Sequence, residues 1–339
     1  MNNYKTIGAI ALFLGAAVSA QSQDGQPLVV TATNASSNQL LVYNTSGQLI
    51  QTVGTHGQGG VAAGSNSGGI AVTEQQQVAV INYGSKSVSL FSRAGNEFVF
   101  TQLVPAVSNP ESVAFGHDHL YILGTTTVES HQMYGVFVNG SPDGMTHLLV
   151  ADGSAAQVGV IDDQLVFTEK SNAIETVNLT AGGAITGLAA MVQNIPSNVN
   201  TPFGLVTRGN NAYVTIAHAN EISLVRNDTV LTVTSSGTQS APCWLALEGP
   251  FLFSSNSPSH SISRFAVYGQ KIVQDAAIAA SVTGNPTDIA YGAGMIAVID
   301  GIDLSIFSVD EDGNLTRVAL APINSADNGV AIVVDRTLE

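Results

Sequence analysis

A short apolar segment recurs seven times along the chain at nearly equal intervals. Each copy is a hexapeptide whose fourth residue is aliphatic, and the steps between these aliphatic residues are 43, 45, 47, 40, 44 and 41 residues. The copies are SGGIAV (67–72), PESVAF (110–115), AAQVGV (155–160), PFGLVT (202–207), PCWLAL (242–247), PTDIAY (286–291) and DNGVAI (327–332). This period matches the length of one four-stranded blade of a β-propeller. The spacing therefore predicts seven blades, each beginning with one hexapeptide.

The residues between the hexapeptides favour strands over helices. Within the first repeat, the segments 69–72, 78–82, 88–92 and 98–104 predict four strands, A to D from the channel outwards. Charged residues make up only 10% of the chain, whereas solvated helices need many of them on their outer faces. No segment after residue 20 keeps a helical period, which argues against a parallel α/β fold. A large β-sandwich is the alternative, but it would not require equal spacing.

The two ends of the chain predict how the ring closes. The seventh hexapeptide introduces one last strand, at 329–334, and three strand-like segments at 28–32, 39–43 and 49–53 precede the first hexapeptide. These three read as strands B, C and D without a strand A. We therefore expect an all-β, seven-bladed β-propeller of four-stranded antiparallel blades, in which the N-terminal strands complete the last blade. Such closure removes exposed sheet edges and makes residues 21–339 one domain.

Residues 1–20 have the pattern of a secretory signal peptide. Lys5 supplies a positive charge, residues 7–18 form an apolar run, and residues 18–20 end in small side chains suited to cleavage. The run is too short to span a bilayer, and no later segment approaches the required length. A buried N-terminal helix is the alternative. The pattern predicts a secreted protein, without a membrane span, whose mature form begins near residue 21.

The charge and the sequons agree with an extracellular protein. The formal net charge is −15, which makes nucleic acids and anionic membranes poor partners. The single cysteine, Cys243, excludes an internal disulfide. Five Asn-x-Ser/Thr sequons are candidate glycosylation sites if the host is a eukaryote. They begin at Asn34, Asn44, Asn178, Asn227 and Asn314.

Seven stretches in order along the chain resemble a known family. They are THGQGG (55–60), INYGSKSVSLF (81–91), LVFTEKSNAIETV (165–177), TPFGLV (201–206), SAPCWLAL (240–247), SSNSPSHSISRF (254–265) and GNPTDIA (284–290). They resemble the lactonase-type seven-bladed propellers, the superfamily of 6-phosphogluconolactonase and carboxymuconate cyclase, and are most similar to its extracellular branch with an APCW motif. The resemblance implies a His with Arg and Glu partners on the channel face. Residues 155–157 read Ala-Ala-Gln where the enzymes would carry that His, so their mechanism does not transfer whole.

The propeller topology predicts where catalytic side chains would lie. The D–A connections and the B–C loops open on one face, around the mouth of the channel, where loops from several blades converge on a ligand. Five residues predicted in B–C loops are candidate acid–base groups. They are His131 in the second blade, Glu169 and Lys170 in the third, His218 in the fourth and His260 in the fifth. The alternative for each is an ordinary solvated loop residue.

Six further residues are candidate substrate-binding groups at the same mouth. They are Lys86, Gln157, Phe203, Trp244, Asn256 and Asp300. Lys86 would attract an anionic ligand, and Trp244 would form an apolar wall for a flat one. The alternative for Phe203 and Trp244 is packing between neighbouring blades. Cys243 could be a nucleophile only with a nearby base such as His260 and a lowered pKa, and its Pro-Cys-Trp context favours packing.

No motif for a cofactor or a metal is present. The chain lacks a Walker loop, a Gly-x-Gly-x-x-Gly between a strand and a helix, and metal-ligand spacing on the predicted face. We therefore expect a secreted small-molecule enzyme of lactonase or cyclase type, opening or closing a ring in an anionic organic acid or a cyclic natural product. A natural-product cyclase such as a hetero-Diels–Alderase is included by fold-level analogy. The alternative is a non-catalytic secreted propeller that binds a small ligand or a protein partner.

Overall fold

Seven antiparallel sheets, six of four strands and one of five, follow one another in a ring, in a computed structural model that describes residues 25–60, 68–192, 201–324 and 328–334. This confirms the predicted all-β propeller. We number the blades I to VII from the first hexapeptide and label their strands A to D from the channel outwards. The inner strand of each blade contacts the inner strands of both neighbouring blades, so that the seven hexapeptides surround the channel.

The strands of blades I to III follow three N-terminal strands. The N-terminal strands are β1 (Leu28–Ala32), β2 (Gln39–Asn44) and β3 (Leu49–Gly54). Blade I contains β4 (Ile70–Val72), β5 (Gln77–Asn82), β6 (Ser87–Ala94) and β7 (Glu97–Pro105). Blade II contains β8 (Pro110–Gly116), β9 (His119–Gly124), β10 (Thr127–Tyr134), β11 (Phe137–Val138) and β12 (Gly144–His147). Blade III contains β13 (Ala155–Ile161), β14 (Gln164–Glu169), β15 (Ala173–Leu179) and β16 (Ile185–Val192).

The remaining strands form blades IV to VII. Blade IV contains β17 (Pro202–Arg208), β18 (Asn211–Ile216), β19 (Glu221–Arg226) and β20 (Thr229–Ser235). Blade V contains β21 (Pro242–Glu248), β22 (Phe251–Asn256), β23 (Ser261–Tyr268) and β24 (Lys271–Ser281). Blade VI contains β25 (Asp288–Gly292), β26 (Met295–Ile299), β27 (Asp303–Val309) and β28 (Leu315–Pro322). Blade VII combines β29 (Asn328–Val333) with β1, β2 and β3.

The ring closes through the two ends of the chain, as predicted. Strand β29 pairs antiparallel with β1, with Ala331 opposite Val30, and β1 pairs in turn with β2. Blade VII is therefore held by hydrogen bonds between segments about 300 residues apart in the sequence. Because every blade then has two neighbours, the exposed sheet edges are confined to the outer strands.

Burial is highest in the middle of each blade and lowest at its outer strand, because each blade packs its two faces against its neighbours. Strand β5 is buried at every residue, whereas β7 alternates between buried and exposed side chains. The apolar clusters lie between adjacent blades, and one of them joins Leu40 and Val42 of blade VII to Val80 and Phe91 of blade I. This explains why middle strands such as β5 read as nearly continuous apolar runs in the sequence.

Blade II departs from the regular pattern at its outer strand. Strand β11 pairs with the end of β10, the chain then leaves the sheet, and β12 pairs with the beginning of β10. The described residues contain one short 3-10 helix, Ala217–Ala219, in the B–C loop of blade IV. None of their helices is long and apolar enough to cross a membrane. The predicted signal peptide lies outside the described residues.

Side chains from the third position of the hexapeptides tie neighbouring inner strands together. The side-chain amide oxygen of Gln157 accepts a hydrogen bond from the Leu205 N–H at 2.7 Å, linking blades III and IV. A carboxylate oxygen of Asp288 accepts one from the Val330 N–H at 3.0 Å, linking blades VI and VII. Ser112 connects blade II to both of its neighbours. These contacts satisfy backbone groups at the edge of an inner strand, which would otherwise be buried without a partner.

Candidate functional site

The beginnings of the inner strands and the B–C loops meet on one face, at the mouth of the channel. The Lys170 N–H donates to the Ser154 carbonyl oxygen at 2.8 Å, which joins a B–C loop to the D–A connection beside it. Asp152 in that connection accepts a hydrogen bond from the Ser171 hydroxyl at 2.5 Å. The backbone around Lys170 is therefore fixed from two sides.

Lys170 presents a buried and unpaired amino group at this mouth. The residue as a whole is half-buried, but its Nζ is buried and has no hydrogen-bond partner. Nζ lies 5.8 Å from the centroid of the Phe203 ring, which belongs to the next blade. Burial lowers the pKa of Lys170, and the negative charges of Glu111 and Asp152 oppose that shift.

Glu111 is the second unpaired charged group at the mouth. It is the second residue of β8, it is wholly buried, and neither carboxylate oxygen has a hydrogen-bond partner. Burial raises the pKa of Glu111 to about 7, although Lys170 acts to lower it. No oxygen of Glu111 lies within the 4.0 Å of Nζ that would make an ion pair. The two groups interact electrostatically without a direct contact.

Our sequence analysis missed Glu111, although the sequence contains a signal for it. Gly68, Ala156, Phe203 and Cys243 occupy the equivalent second position of four other hexapeptides, and none of them carries a charge. A carboxylate at the start of an inner strand is therefore an exception to the repeat. Such an exception to a structural pattern is where a functional residue is expected.

Glu169 is an interior residue rather than a loop residue. It is the last residue of β14, pairs with Ala155 and Ala173, and is wholly buried. Burial, together with the negative charge of the neighbouring Glu175, raises the pKa of Glu169 to about 9. Glu175 itself accepts hydrogen bonds from the Leu149 and Val150 N–H groups. Our prediction that Glu169 lies in the B–C loop is wrong, because β14 continues through Glu169 and the loop begins after it.

His131 does not lie in a B–C loop either, and this prediction is also wrong. It is in the middle of β10, wholly buried, opposite Leu120. Its Nδ1 lies 2.8 Å from the Asn139 carbonyl oxygen, and its Nε2 lies 3.6 Å from a carboxylate oxygen of Glu129. The polar run around His131 resembles a loop in the sequence, but its polar side chains contact one another inside the blade.

His218 and His260 lie in the predicted B–C loops. His218 is exposed in the 3-10 helix, with Nδ1 2.9 Å from the Thr201 hydroxyl. His260 is exposed and has a φ of 50°, with Nδ1 3.3 Å from the Thr283 carbonyl oxygen. Neither ring contacts Glu111 or Lys170, so the structure does not bring the two histidines together with these two groups.

Phe203 and Trp244 form an aromatic wall beside Lys170. Their ring centroids are 5.1 Å apart in an edge-to-face arrangement, and both side chains are buried in one apolar cluster. The Trp244 Nε1 has no hydrogen-bond partner. Cys243, between the two in the cluster, contacts the Ala241 carbonyl oxygen, and burial raises the pKa of its thiol to about 12. A thiol with this pKa is not a ready nucleophile.

Of the other four residues predicted to bind substrate, three make structural hydrogen bonds and one is exposed on the surface. Gln157 joins two inner strands, as described above, and the Asn256 amide donates to the hydroxyls of Ser261 and Ser263 inside blade V. The carboxylate of Asp300 accepts four backbone hydrogen bonds. Lys86 is exposed in the B–C turn of blade I. Within the described parts of the chain, no group of three His, Cys, Asp or Glu residues is placed to hold a metal ion.

The sequons are unevenly distributed over the two faces. Four of them lie at the end of a strand C or in the C–D turn that follows, on the face opposite the mouth. These four are Asn44, Asn178, Asn227 and Asn314. Asn34 is in the B–C loop of blade VII, half-buried, with its side-chain oxygen bound by the Gly60 N–H at 2.7 Å.

This architecture defines a seven-bladed β-propeller with the fold of the lactonase-type superfamily. Among solved structures, the chain is similar to two proposed 6-phosphogluconolactonases. The protein from Bacteroides uniformis is 14% identical, with a TM-score of 0.65 over 92% of this chain and 100% of its own. The protein from Bacteroides fragilis is 12% identical, with a TM-score of 0.65 over 93% and 100%. Identities this low establish the fold alone.

A third similar structure belongs to a different enzyme. It is a catalytically inactive variant of virginiamycin B lyase from Staphylococcus aureus with quinupristin, 16% identical, with a TM-score of 0.56 over 82% of this chain and 92% of its own. No protein-family model matches the chain, and no curated protein sequence matches it either. One propeller fold therefore carries different chemistries, and function has to be argued from the site.

Proposed function

We propose that this protein is a secreted small-molecule enzyme of lactonase or cyclase type that opens or closes a ring at the channel mouth. One observation carries the proposal: the carboxyl group of Glu111 and the amino group of Lys170 interact electrostatically at the mouth, and neither has a hydrogen-bond partner. Leaving buried charged groups unpaired is costly for stability, and such groups mark functional sites. The likeness in fold to proposed 6-phosphogluconolactonases supports the choice of reaction.

The pair supplies the two groups that ring opening needs. The carboxylate of Glu111 takes a proton from water as the water oxygen attacks the lactone carbonyl carbon. The ring C–O bond then breaks, and Glu111 returns the proton to the departing oxygen, which gives a hydroxy acid. The Lys170 ammonium donates a hydrogen bond to the carbonyl oxygen while that oxygen carries negative charge. Ring closure is the same sequence in reverse, with water released.

The pKa of Glu111 suits this role. A general acid or base is most effective when its pKa lies near the working pH, and burial raises the pKa of Glu111 to about 7. The wall formed by Phe203 and Trp244 would hold a flat or cyclic body. The substrate class that fits is therefore a cyclic organic molecule that places a carbonyl group between Glu111 and Lys170, including cyclic natural products.

Replacing either member of the pair should abolish most of the activity. We expect Glu111→Gln and Lys170→Met each to lower kcat/KM about 100-fold or more in a screen of γ- and δ-lactones, because each removes a proton carrier or an oxyanion donor. Release of acid measured with a pH indicator follows the reaction. The matched controls are Glu97→Gln and Lys271→Met, exposed residues beside C–D turns on the opposite face, which should retain full activity.

Two results would contradict the assignment. Full activity in both mouth variants would place the chemistry elsewhere. Ligand binding without turnover in the wild type would instead favour the alternative, a non-catalytic propeller that binds a small ligand or a protein partner. Thermal unfolding of each variant separates loss of chemistry from loss of fold.

Export and glycosylation form the second part of the proposal. The signal-peptide pattern supports export, and the four sequons on the C–D-turn face would carry glycans away from the mouth. Expression with the natural leader in a eukaryotic host should yield a mature N-terminus near residue 21 and a mass that falls on deglycosylation. Retention of residues 1–20 in the product would contradict export.

A further inference from the structure

We propose that Lys170 is also an amine nucleophile, which forms a reversible imine with a small aldehyde or ketone bound at the channel mouth. The inference uses the same site as the proposed function but does not depend on ring opening. It starts from the surroundings of the Lys170 Nζ, which is buried without a hydrogen-bond partner beside the Phe203 ring.

The lysines that the structure describes divide into one buried and two exposed amino groups. Lys86 lies in the B–C turn of blade I and Lys271 begins the outer strand of blade V, and both are exposed. An exposed ammonium keeps its three hydrogen bonds to water. The Lys170 ammonium lacks these bonds, so its neutral form is favoured relative to the other two.

The groups around Lys170 reduce the lowering of its pKa without reversing it. Burial lowers the pKa of Lys170, while the charges of Glu111 in blade II and Asp152 in the adjoining D–A connection act to raise it. Tyr83, in blade I, faces Glu111 and is neutral at pH 7, because burial and Glu111 raise its pKa. Glu169, the residue before Lys170, is protonated at pH 7, since its pKa is about 9. The neutral amine is therefore more accessible at Lys170 than at an exposed lysine.

Glu111 is placed to move the protons that imine formation requires. The lone pair of the amine attacks the carbonyl carbon, and the resulting carbinolamine has one N–H proton too many and a hydroxyl that must leave. Through a bridging water molecule, the Glu111 carboxylate accepts the N–H proton, and the protonated acid then donates it to the hydroxyl, which departs as water while the C=N bond forms. No oxidant or reductant is consumed. Both forms of Glu111 are populated near pH 7, because its pKa is about 7.

The aromatic wall indicates the class of carbonyl compound. Phe203 lies beside Nζ and packs edge-to-face against Trp244, so a ligand with an aromatic or cyclic body next to its carbonyl group fits best. Lys170 as a whole is half-buried although its Nζ is buried, and its flexible four-carbon stem lets Nζ move to reach a ligand beside the Phe203 ring.

Reductive trapping tests this assignment within a single protein. The full chain is incubated with benzaldehyde and sodium cyanoborohydride at pH 6.5, and the benzylated lysines are located by peptide mass mapping. A lowered pKa raises the neutral fraction of an amine, so Lys170 should be labelled faster than Lys86 and Lys271. Glu111→Gln should slow labelling of Lys170 several-fold and leave the two exposed lysines unchanged.

The outcomes separate this inference from the proposed function. Equal labelling of the three lysines, or faster labelling of Lys86 or Lys271, would overturn the nucleophile assignment whatever the lactone screen shows. Unchanged labelling of Lys170 in Glu111→Gln would overturn the proton-carrier step. If lactones are not turned over but Lys170 is labelled selectively, the imine proposal stands and ring opening fails.

Discussion

Replacing Asp300 with alanine should destabilise the protein by about 3–5 kcal/mol, the largest effect that we expect from a single polar substitution. Its side chain is buried, and its two oxygens accept four backbone hydrogen bonds. One oxygen binds the N–H groups of Thr283 and Gly284 at 2.9 and 2.8 Å. The other binds those of Ile302 and Asp303 at 3.0 and 2.7 Å. The carboxylate thus joins the D–A connection before blade VI to the B–C loop of that blade.

The size of this effect follows from the backbone N–H groups that lose their acceptor in Asp300→Ala. Four N–H groups lose a charged acceptor at once, and each buried donor without a partner costs about 1–3 kcal/mol unless water reaches it. Asp300→Asn keeps one acceptor oxygen and should lose about half as much. Asp163→Ala, at an exposed turn, should change stability by less than about 0.5 kcal/mol. Urea unfolding measures all three, and an Asp300→Ala protein as stable as Asp163→Ala would contradict this role for the carboxylate.

Asp300 also shows why the fold was easier to predict than the site. The seven hexapeptides recur because every blade needs the same apolar inner strand, so the pattern is local and repeats along the sequence. The role of Asp300 depends on backbone groups of another loop, 16 and 17 residues earlier. In the sequence, an acidic residue after an inner-facing strand looks the same whether it binds a substrate or caps a loop.

The same limit explains the two misplaced catalytic candidates. His131 and Glu169 lie in polar stretches that read as B–C loops, yet both are strand residues whose polar partners, Glu129 and Glu175, lie in the same blade. Buried polar pairs of this kind cannot be separated from solvated loops by composition. Lys170 was placed correctly, because it follows the strand end by one residue.

The ring of blades brings Glu111 and Lys170 to the same face of the protein. Glu111 is the second residue of blade II, Lys170 follows the second strand of blade III, and Phe203 is the second residue of blade IV. Each inner strand starts on the same face, so residues about 30–60 positions apart converge there. Topology predicted the face, but only the packing of the side chains shows that Glu111 and Lys170 lack partners while Gln157 and Asn256 do not.

The protein should become less stable as the pH rises from about 5 to 9, unlike a protein stabilised by carboxylate ion pairs. Three buried carboxyl groups have raised pKa values in the folded state: about 7 for Glu111, about 7 for Asp288 and about 9 for Glu169. Burial is the main cause for each. In the unfolded chain these groups titrate near their ordinary values of about 4.

The sign follows from proton linkage. Between pH 4 and 9 the folded state binds more protons than the unfolded state, so the free energy of unfolding falls as pH rises. The stability associated with these groups is fully present below their unfolded pKa values and is lost as pH passes the folded ones. Asp152, whose pKa is lowered by hydrogen bonds despite an opposing desolvation effect, acts in the opposite sense, but only below about pH 4. We expect unfolding to cost about 3 kcal/mol less at pH 8.5 than at pH 5.5, allowing for relaxation around the charges.

Two substitutions assign this pH dependence to particular groups. Glu169→Gln replaces a protonated acid with a neutral amide of similar shape, so it should leave stability at pH 6 nearly unchanged and raise it above that of the wild type at pH 9. Asp288→Asn should flatten the curve between pH 5 and 7, while its side-chain oxygen can still accept the Val330 N–H. Glu97→Gln, on an exposed residue, should leave the whole curve unchanged. Urea unfolding at each pH gives the free energies, and a stability that stays level or rises between pH 5.5 and 8.5 would show that these carboxyl groups ionise as freely in the folded protein as in the unfolded chain.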